Sequence, residues 1–281
     1  MKIYKTKSEL KEFLSKVKIN NKSIGFVPTM GALHEGHLSL VEKAKKKNDI
    51  TVVSIFVNPT QFDNKEDLVK YPKTFDNDVM LLESVACDVL FFPSVEEMYS
   101  KNIESERFNF DGLEHQMEGE FRDGHFNGVG TIVKTLFEIV EPDIAYFGKK
   151  DFQQLQIIKK MVEIHALPVK VKGCDIYREK DGLAMSSRNT RLTKEHRELA
   201  PFIYKTLKKA KKKFITKNGS EVTEWVQKQF KKQPLLELEY FTIADEKTLT
   251  TINKKESNQI YRAFIAVFAG EIRLIDNIRL K

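Results

Sequence analysis

The chain of 281 residues is 41% hydrophobic, 31% charged and 10% aromatic, which supplies a sizeable core and excludes a fully disordered polypeptide. Its net charge of +7 admits a nucleic-acid partner, anionic substrates, or a lysine-rich composition with no functional content. No apolar run reaches the roughly 18 residues of a membrane-spanning helix. The amphipathic start MKIYKTKSELKEFLSK has no apolar signal stretch, so no membrane association is expected and the cytoplasm is the expected compartment.

In chain order, residues 23–27 form a short apolar run ending at Pro28, followed by a loop over 29–33 and a helix from about 36 to 47. Residues 50–57 are a β-branched run stopped by Asn58-Pro59, and Val79, Leu82 and Ala86 give 75–86 a helical period. A strand at 89–92 stops at Pro93; a helix over 130–140, a strand at 144–147, a helix over 151–165 and a strand at 169–171 follow. Short continuous apolar strands alternating with periodic helices predict βαβ units and a parallel sheet buried on both faces, with ligands beyond the carboxyl ends of its strands.

After Gly173 the alternation stops. Helices at 194–213 and 220–232 precede three strand-like runs, 236–244, 260–268 and 272–277, so a smaller α+β domain over 174–281 is expected to follow an α/β domain over 1–173. The lysines between 205 and 232 read as a solvated helix face, because lysine is a poor base reader. Cys87 and Cys174 read as core thiols: without an export signal a disulfide is not expected, and two thiols make no cysteine-only zinc site.

Two stretches carry chemistry. In Met30-Gly31-Ala32-Leu33-His34-Glu35-Gly36-His37 a strand turns at Gly31 into a helix whose first turn bears two histidines. Unpaired N–H groups and the positive dipole end suit phosphate there, and residues three apart share one helix face. Zinc ligation and a purely structural role compete with that reading, although the spacing is not HExxH and no third ligand is evident. Neither a GxGxxG nor a GxxxxGK[ST] sequence is present. The second stretch, residues 178–189, is polar and contains Gly182, Ser186, Ser187 and Arg188, which suits a loop bringing hydroxyls and a guanidinium fork onto phosphates.

Together, HxGH after the first of these strands and the distant Met-Ser-Ser-Arg loop resemble the HIGH and KMSKS signatures of nucleotidyltransferases related to class I aminoacyl-tRNA synthetases. Five blocks, at 28–37, 56–62, 124–129, 147–154 and 181–189, narrow the resemblance to the pantothenate synthetase family, in order and over essentially the whole chain. The resemblance implies a Rossmann-like α/β fold and an AMP-forming ligase that joins (R)-pantoate to β-alanine with ATP and Mg2+ through a pantoyl adenylate. It also implies a homodimer with small-molecule partners only, and neither nucleic acid nor membrane.

Residue by residue, the resemblance implies that Met30, Gly31, Ala32, Leu33, His34, Glu35, Gly36 and His37 contact ATP, with His37 the catalytic residue, as proton donor or stabiliser of phosphate charge. Gly148, Lys149, Lys150 and Asp151, with Tyr177, Met185, Ser186, Ser187 and Arg188 of the second domain, complete the ATP set; Lys150 falls on the phosphates. Gln61 and Gln154 bind pantoate, Gln61 near β-alanine, and His125 lines the pantoate pocket. No dedicated metal site is expected; magnesium bridges phosphate oxygens, with Asp76 and Asp78 as outer contacts. The chain departs from the family pattern at Lys149 (usually Glu), Asp123 (often Pro) and Tyr177 (usually small and aliphatic). Two alternatives stand beside this reading. One is another adenylyltransferase of the superfamily, acting on phosphopantetheine or nicotinate mononucleotide, which would lack the Asn58–Gln61 and Gly148–Gln154 blocks. The other is an RNA-binding module, which predicts a salt-sensitive complex in filter binding.

Overall fold

The apolar runs become strands and the periodic stretches become helices, arranged in two units. The computed structural model describes residues 1–62, 65–99, 102–252 and 254–280, apart from the side chains at 65 and 67. Met1–Glu114, Glu118–Lys149 and Gln154–Asp175 make the first unit; His115–Met117, Lys150–Gln153 and Ile176–Lys281 make the second.

The elements of the first part of the chain are β1 (Lys2–Tyr4), α1 (Lys7–Ile19), β2 (Ile24–Thr29), α2 (Glu35–Lys45), β3 (Ile50–Ile55), α3 (Lys65–Val69) and α4 (Phe75–Ser84). They continue with β4 (Val89–Phe91), α5 (Val95–Met98), α6 (Glu118–Phe121), α7 (His125–Val140), β5 (Ile144–Gly148), α8 (Phe152–Ile164) and β6 (Lys170–Cys174). The strands form one parallel sheet in the order β1-β4-β3-β2-β5-β6. Ile24, Phe26, Val27, Val52 and Val53 are buried, as a sheet covered on both faces requires. Because β3 and β4 run out to one side of β2 while β5 and β6 lie on the other, the chain switches direction between β2 and β5. That switch is where an open α/β sheet leaves a crevice at its carboxyl edge.

Several elements of this unit differ from the sequence reading. β2 does not end at Pro28 but runs to Thr29; the stretch carrying Pro28 pairs only with β3, since the last β5 partner is Phe26, and a proline is tolerated where one ladder is already missing. α7 begins at His125, five residues before the expected 130, behind Gly124, whose φ of +68° suits glycine. β3 closes at Ile55 rather than at 57. The amphipathic N-terminus contains a short strand, β1, ahead of its helix, paired to β4.

In the second unit, α9 (Lys194–Leu199), α10 (Phe202–Phe214) and α11 (Gly219–Phe230) precede β7 (Glu237–Asp245), β8 (Tyr261–Ala269) and β9 (Ile272–Arg279). The sheet is antiparallel, β7-β8-β9. The expected single helix over 194–213 is two, because Pro201 follows the end of α9 and caps α10. α10 packs on β8 and β9, and α11 on β7. Leu207, Val226, Phe230, Ile243, Ile265 and Val267 fill the core between them. A parallel α/β unit together with this α+β unit is the fold class expected from the sequence. The lysines of α10 lie mostly on its exposed side, opposite Ile203, Leu207, Ala210 and Phe214.

Both cysteines are buried free thiols, and burial pushes Cys87 up to about 12. Among the described residues no helix is long and apolar enough to cross a membrane.

Candidate active site

The loop between β2 and α2 is shaped from beneath. Gly31 (φ +81°) and Ala32 (φ +49°) both take left-handed conformations, which turn the chain sharply at the sheet edge. A Cβ on Gly31 would approach Asp78 Oδ2 to 3.1 Å and Ile55 Cγ2 to 3.0 Å, so a side chain there would press on both as well as strain the φ. Asp78, 1% exposed in the first turn of α4, holds the turn: Oδ2 accepts from the Ala32 N–H at 3.0 Å and Oδ1 from the Leu33 N–H at 2.8 Å. The Thr74 hydroxyl also donates to Oδ1, at 3.1 Å. The carboxylate assigned in sequence to magnesium is therefore committed to backbone amides. Thr29 Oγ1 donates to the Ser54 carbonyl at 2.7 Å and accepts from the Gly31 N–H at 3.2 Å, fixing the other arm of the turn.

His34 is the N-cap of α2 and His37 lies in its first turn. Their rings stack at 4.0 Å between centroids and 26° between planes, which places two imidazoles beside the positive end of an 11-residue helix.

Gln61 ends the 3-10 turn Pro59–Gln61 that follows β3. Its Nε2 donates to Met30 Sδ at 2.8 Å, and its Oε1 accepts from Asn58 Nδ2 at 3.4 Å, which brings Gln61 beside the HxGH loop. Asn58, 1% exposed, anchors the turn: Nδ2 donates to the Gly128 carbonyl at 3.1 Å and Oδ1 accepts from the Tyr99 hydroxyl at 2.6 Å. α7 comes so close that a Cβ on Gly128 would lie 2.4 Å from the Thr60 carbonyl oxygen. Buried His125 bonds through Nδ1 to the Gln61 carbonyl at 2.8 Å and through Nε2 to Arg122 at 3.2 Å. Arginine can only donate, so Nε2 accepts and the ring proton sits on Nδ1. His125 thus supports the Gln61 main chain.

At the end of β5, next to β2, Lys149 Nζ reaches Asp175 Oδ1 at 2.6 Å. The lysine that replaces the family's glutamate is thus charge-paired. Gln154 is half-buried on α8. The HxGH loop, Gln61 and Lys149 follow the carboxyl ends of β2, β3 and β5, and Gly148 is the last residue of β5, all at or beside the switch in strand order.

The second unit holds the other motif as a hairpin. The Met185 N–H donates to the Tyr177 carbonyl at 3.0 Å, Arg178 bridges Ala184, and Gly182 turns the tip at φ +97°. Tyr177, 42% exposed, thus joins by its backbone, so its departure from the family pattern leaves that pairing intact. Arg178 clamps the root with a bidentate pair to Asp276, at 2.7 and 2.9 Å, and stacks over Tyr204 at 3.6 Å. Burial pushes the Asp276 carboxyl up, opposed by Arg178. Arg197 joins Asp181 at 2.6 Å and also grips Glu179, whose other oxygen accepts from Asn189 Nδ2 at 2.7 Å. Burial acts to raise Asp181, but Arg197 and the Leu183 N–H hold it below the usual carboxylate range. Ser186 caps the short 3-10 helix Ser187–Arg191 by accepting from the Arg188 N–H at 3.3 Å. Lys150 and Asp151, 3.7 Å apart, belong to this unit, with Lys150 mostly buried.

Sequence reasoning missed Tyr99, Arg122 and Arg197, and it named Asp78, Asn58 and Arg178 without their supporting roles. Arg178 stood inside a quoted block, but its partner Asp276 lies 98 residues away with no local signal. Among the described residues no group of three or more His, Cys, Asp or Glu could hold a metal ion.

A family model described as pantoate-beta-alanine ligase matches residues 2–279. A pantothenate synthetase of Christiangramia forsetii is 56% identical over 281 residues, covering 100% of this chain and 99% of that one. The crystal structure of pantothenate synthetase from Thermus thermophilus superposes with a TM-score of 0.91 at 38% identity, over 100% of this chain and 99% of the other. That of a pantoate-beta-alanine ligase from Francisella tularensis, described as complexed with beta-gamma ATP and beta-alanine, gives 0.82 at 36% identity, over 100% and 98%. With the HxGH loop at the strand-order switch and the Met-Ser-Ser-Arg hairpin both in the fold these relatives share, the chain belongs to the pantoate–β-alanine ligase family.

Proposed function

We propose that the chain condenses (R)-pantoate with β-alanine at the expense of ATP, through a pantoyl adenylate. A pantoate carboxylate oxygen attacks the α-phosphorus and pyrophosphate leaves with the broken P–O bond. The β-alanine amine then attacks the acyl carbon, AMP departs, and the amine proton is released. Because the first step sets an anion against an anion, the protein must position the reactants and neutralise charge. The observation that carries this reading is the stacked His34–His37 pair at the start of α2, on a loop held in place by Asp78.

In this reading residues 1–173 take adenosine and pantoate, and residues 174–281 supply the phosphate loop Ser186-Ser187-Arg188. Met30 to His37, Gly148, Lys149, Asp151, Tyr177 and Met185 contact the nucleotide. His37 donates to an α-phosphate oxygen; the carboxylate attack itself requires no proton to be removed. Lys150 and Arg188 meet the phosphates as a point charge and a planar fork. Gln61 and Gln154 hold pantoate with neutral amides that accept from its hydroxyls and donate to its carboxylate. Magnesium fits without a protein cage: with Asp78 committed to the loop, the ion would come with the triphosphate and supply positive charge against it. A cytoplasmic homodimer completes the reading.

The test is ATP–pyrophosphate exchange with magnesium and without β-alanine. Exchange that requires (R)-pantoate is expected, and adding β-alanine should then release AMP and pantothenate. A folded, ATP-binding sample with no exchange would void the substrate assignment.

A further inference from the structure

Lys150 offers its ammonium to the phosphates from a segment that is tied down by its main chain. The Lys150 carbonyl accepts from Asn277 Nδ2 at 2.8 Å. The Asn277 Oδ1 is itself engaged, accepting from Arg262 Nη1 at 2.5 Å. Arg262 is oriented in turn: its Nε and Nη2 reach Glu246 Oε1 at 2.9 and 2.7 Å, and its guanidinium lies 4.1 Å over the ring of Phe152, two residues past Lys150. Asn277 and Arg262 are 2% and 6% exposed. A buried asparagine and arginine are expensive unless their groups are matched, and an apolar layer would hold a three-stranded sheet as well. Among the described bonds, this tier supplies a directed one to the Lys150 carbonyl, which an apolar layer would not.

The neighbouring residue makes the placement more telling. Asp276 and Asn277 are consecutive on β9, so the pleat sends their side chains to opposite faces. Asp276 takes the bidentate pair from Arg178 at the root of the phosphate hairpin, and Asn277 takes the Lys150 carbonyl. One dipeptide therefore sets the relative position of Lys150 and the Ser186–Arg188 loop within this unit. We propose that Asn277, aimed by Arg262 and Glu246, is a positioning residue that fixes the Lys150 main chain so that its ammonium meets the phosphates of ATP. The inference rests on the phosphate role assigned to Lys150 above.

The test compares dissociation constants for ATP and adenosine by calorimetry in wild type, Asn277→Ala, Lys150→Met and the double variant. Losing the directed bond should weaken ATP about tenfold and adenosine less than about twofold. In the Lys150→Met background, Asn277→Ala should cost no further ATP affinity, because the group it positions is gone. Equal losses for ATP and adenosine, no loss for either, or full additivity in the double variant would each overturn the proposal in favour of a structural role. ATP affinity unchanged by Lys150→Met alone would remove the phosphate role and this inference with it, whereas absence of pantoate-dependent exchange in wild type would strike the proposed function instead. If Asn277→Ala does not fold, Glu246→Gln, which loosens Arg262, is expected to give the same pattern at about threefold; the same outcomes overturn it.

Discussion

Asp78 shows how much one carboxylate can do away from the chemistry. It satisfies two consecutive backbone N–H groups in a turn whose Gly31 and Ala32 adopt left-handed conformations, so the strained backbone is stabilised by charge-assisted bonds. Asp78→Ala leaves both amides without that acceptor and is expected to lower stability by about 2–4 kcal/mol in urea titration, with pantoate-dependent exchange falling at least tenfold. An unchanged exchange rate would mean that the turn holds its shape without the carboxylate. At this scale the sequence offered His34, His37, Ser186 and Arg188 as candidates because they sit in contiguous motifs. It was not legible for their supports: Asp78 stands 45 residues from the Leu33 amide it holds, and the resemblance offered it as an outer magnesium contact instead. Local spacing carries information about residues that share a turn or a helix face, not about a carboxylate brought in by tertiary packing.

Between elements, the tightest constraint is where α7 meets the turn after β3. Glycine at 128 lets the helix backbone pass against Thr60 and Gln61, and Asn58 and His125 then bond across the same contact. A methyl group there would overlap the Thr60 carbonyl, which is backbone and cannot swing aside. Gly128→Ala should therefore displace Gln61, raising KM for pantoate at least tenfold while KM for ATP changes less, at a stability cost of about 1–3 kcal/mol. Equal effects on both substrates would place the damage elsewhere. The strands and most helices were readable from periodicity; Pro93 marked the end of β4 to within a residue, whereas β3 closes at Ile55, ahead of Asn58-Pro59. Pro28 and Pro201 were harder. A proline stops a strand only where its missing N–H would have found a partner, and that depends on which neighbour is still paired at that level; whether 194–213 is one helix or two turns on the single Pro201.

On the scale of the whole molecule, each unit has its own core, one around β2 and β3 and one around β7, β8 and β9. The change of texture after residue 173 was the sequence's reason to expect a second domain; the grouping of 115–117 and 150–153 with Ile176–Lys281 had no signal in the sequence. The net charge of +7 tends to keep copies apart, so the proposed homodimer must be held by a specific interface. Light scattering should return twice the chain mass at both about 50 mM and about 500 mM salt, since screening does not dissolve an interface built on apolar burial; the mass of a single chain at micromolar concentration would remove the dimer. The interlock beside the 177–185 hairpin reaches further, into how this enzyme can be recombined. Glu179, Asp181 and Asn189 converge with Arg197, so the segment from 179 to 197 carries its own scaffolding. Crossovers between homologous sequences are best placed outside it, with Asp276 carried along to receive Arg178; a chimera cut within it would inherit a guanidinium from one parent and its carboxylates from another.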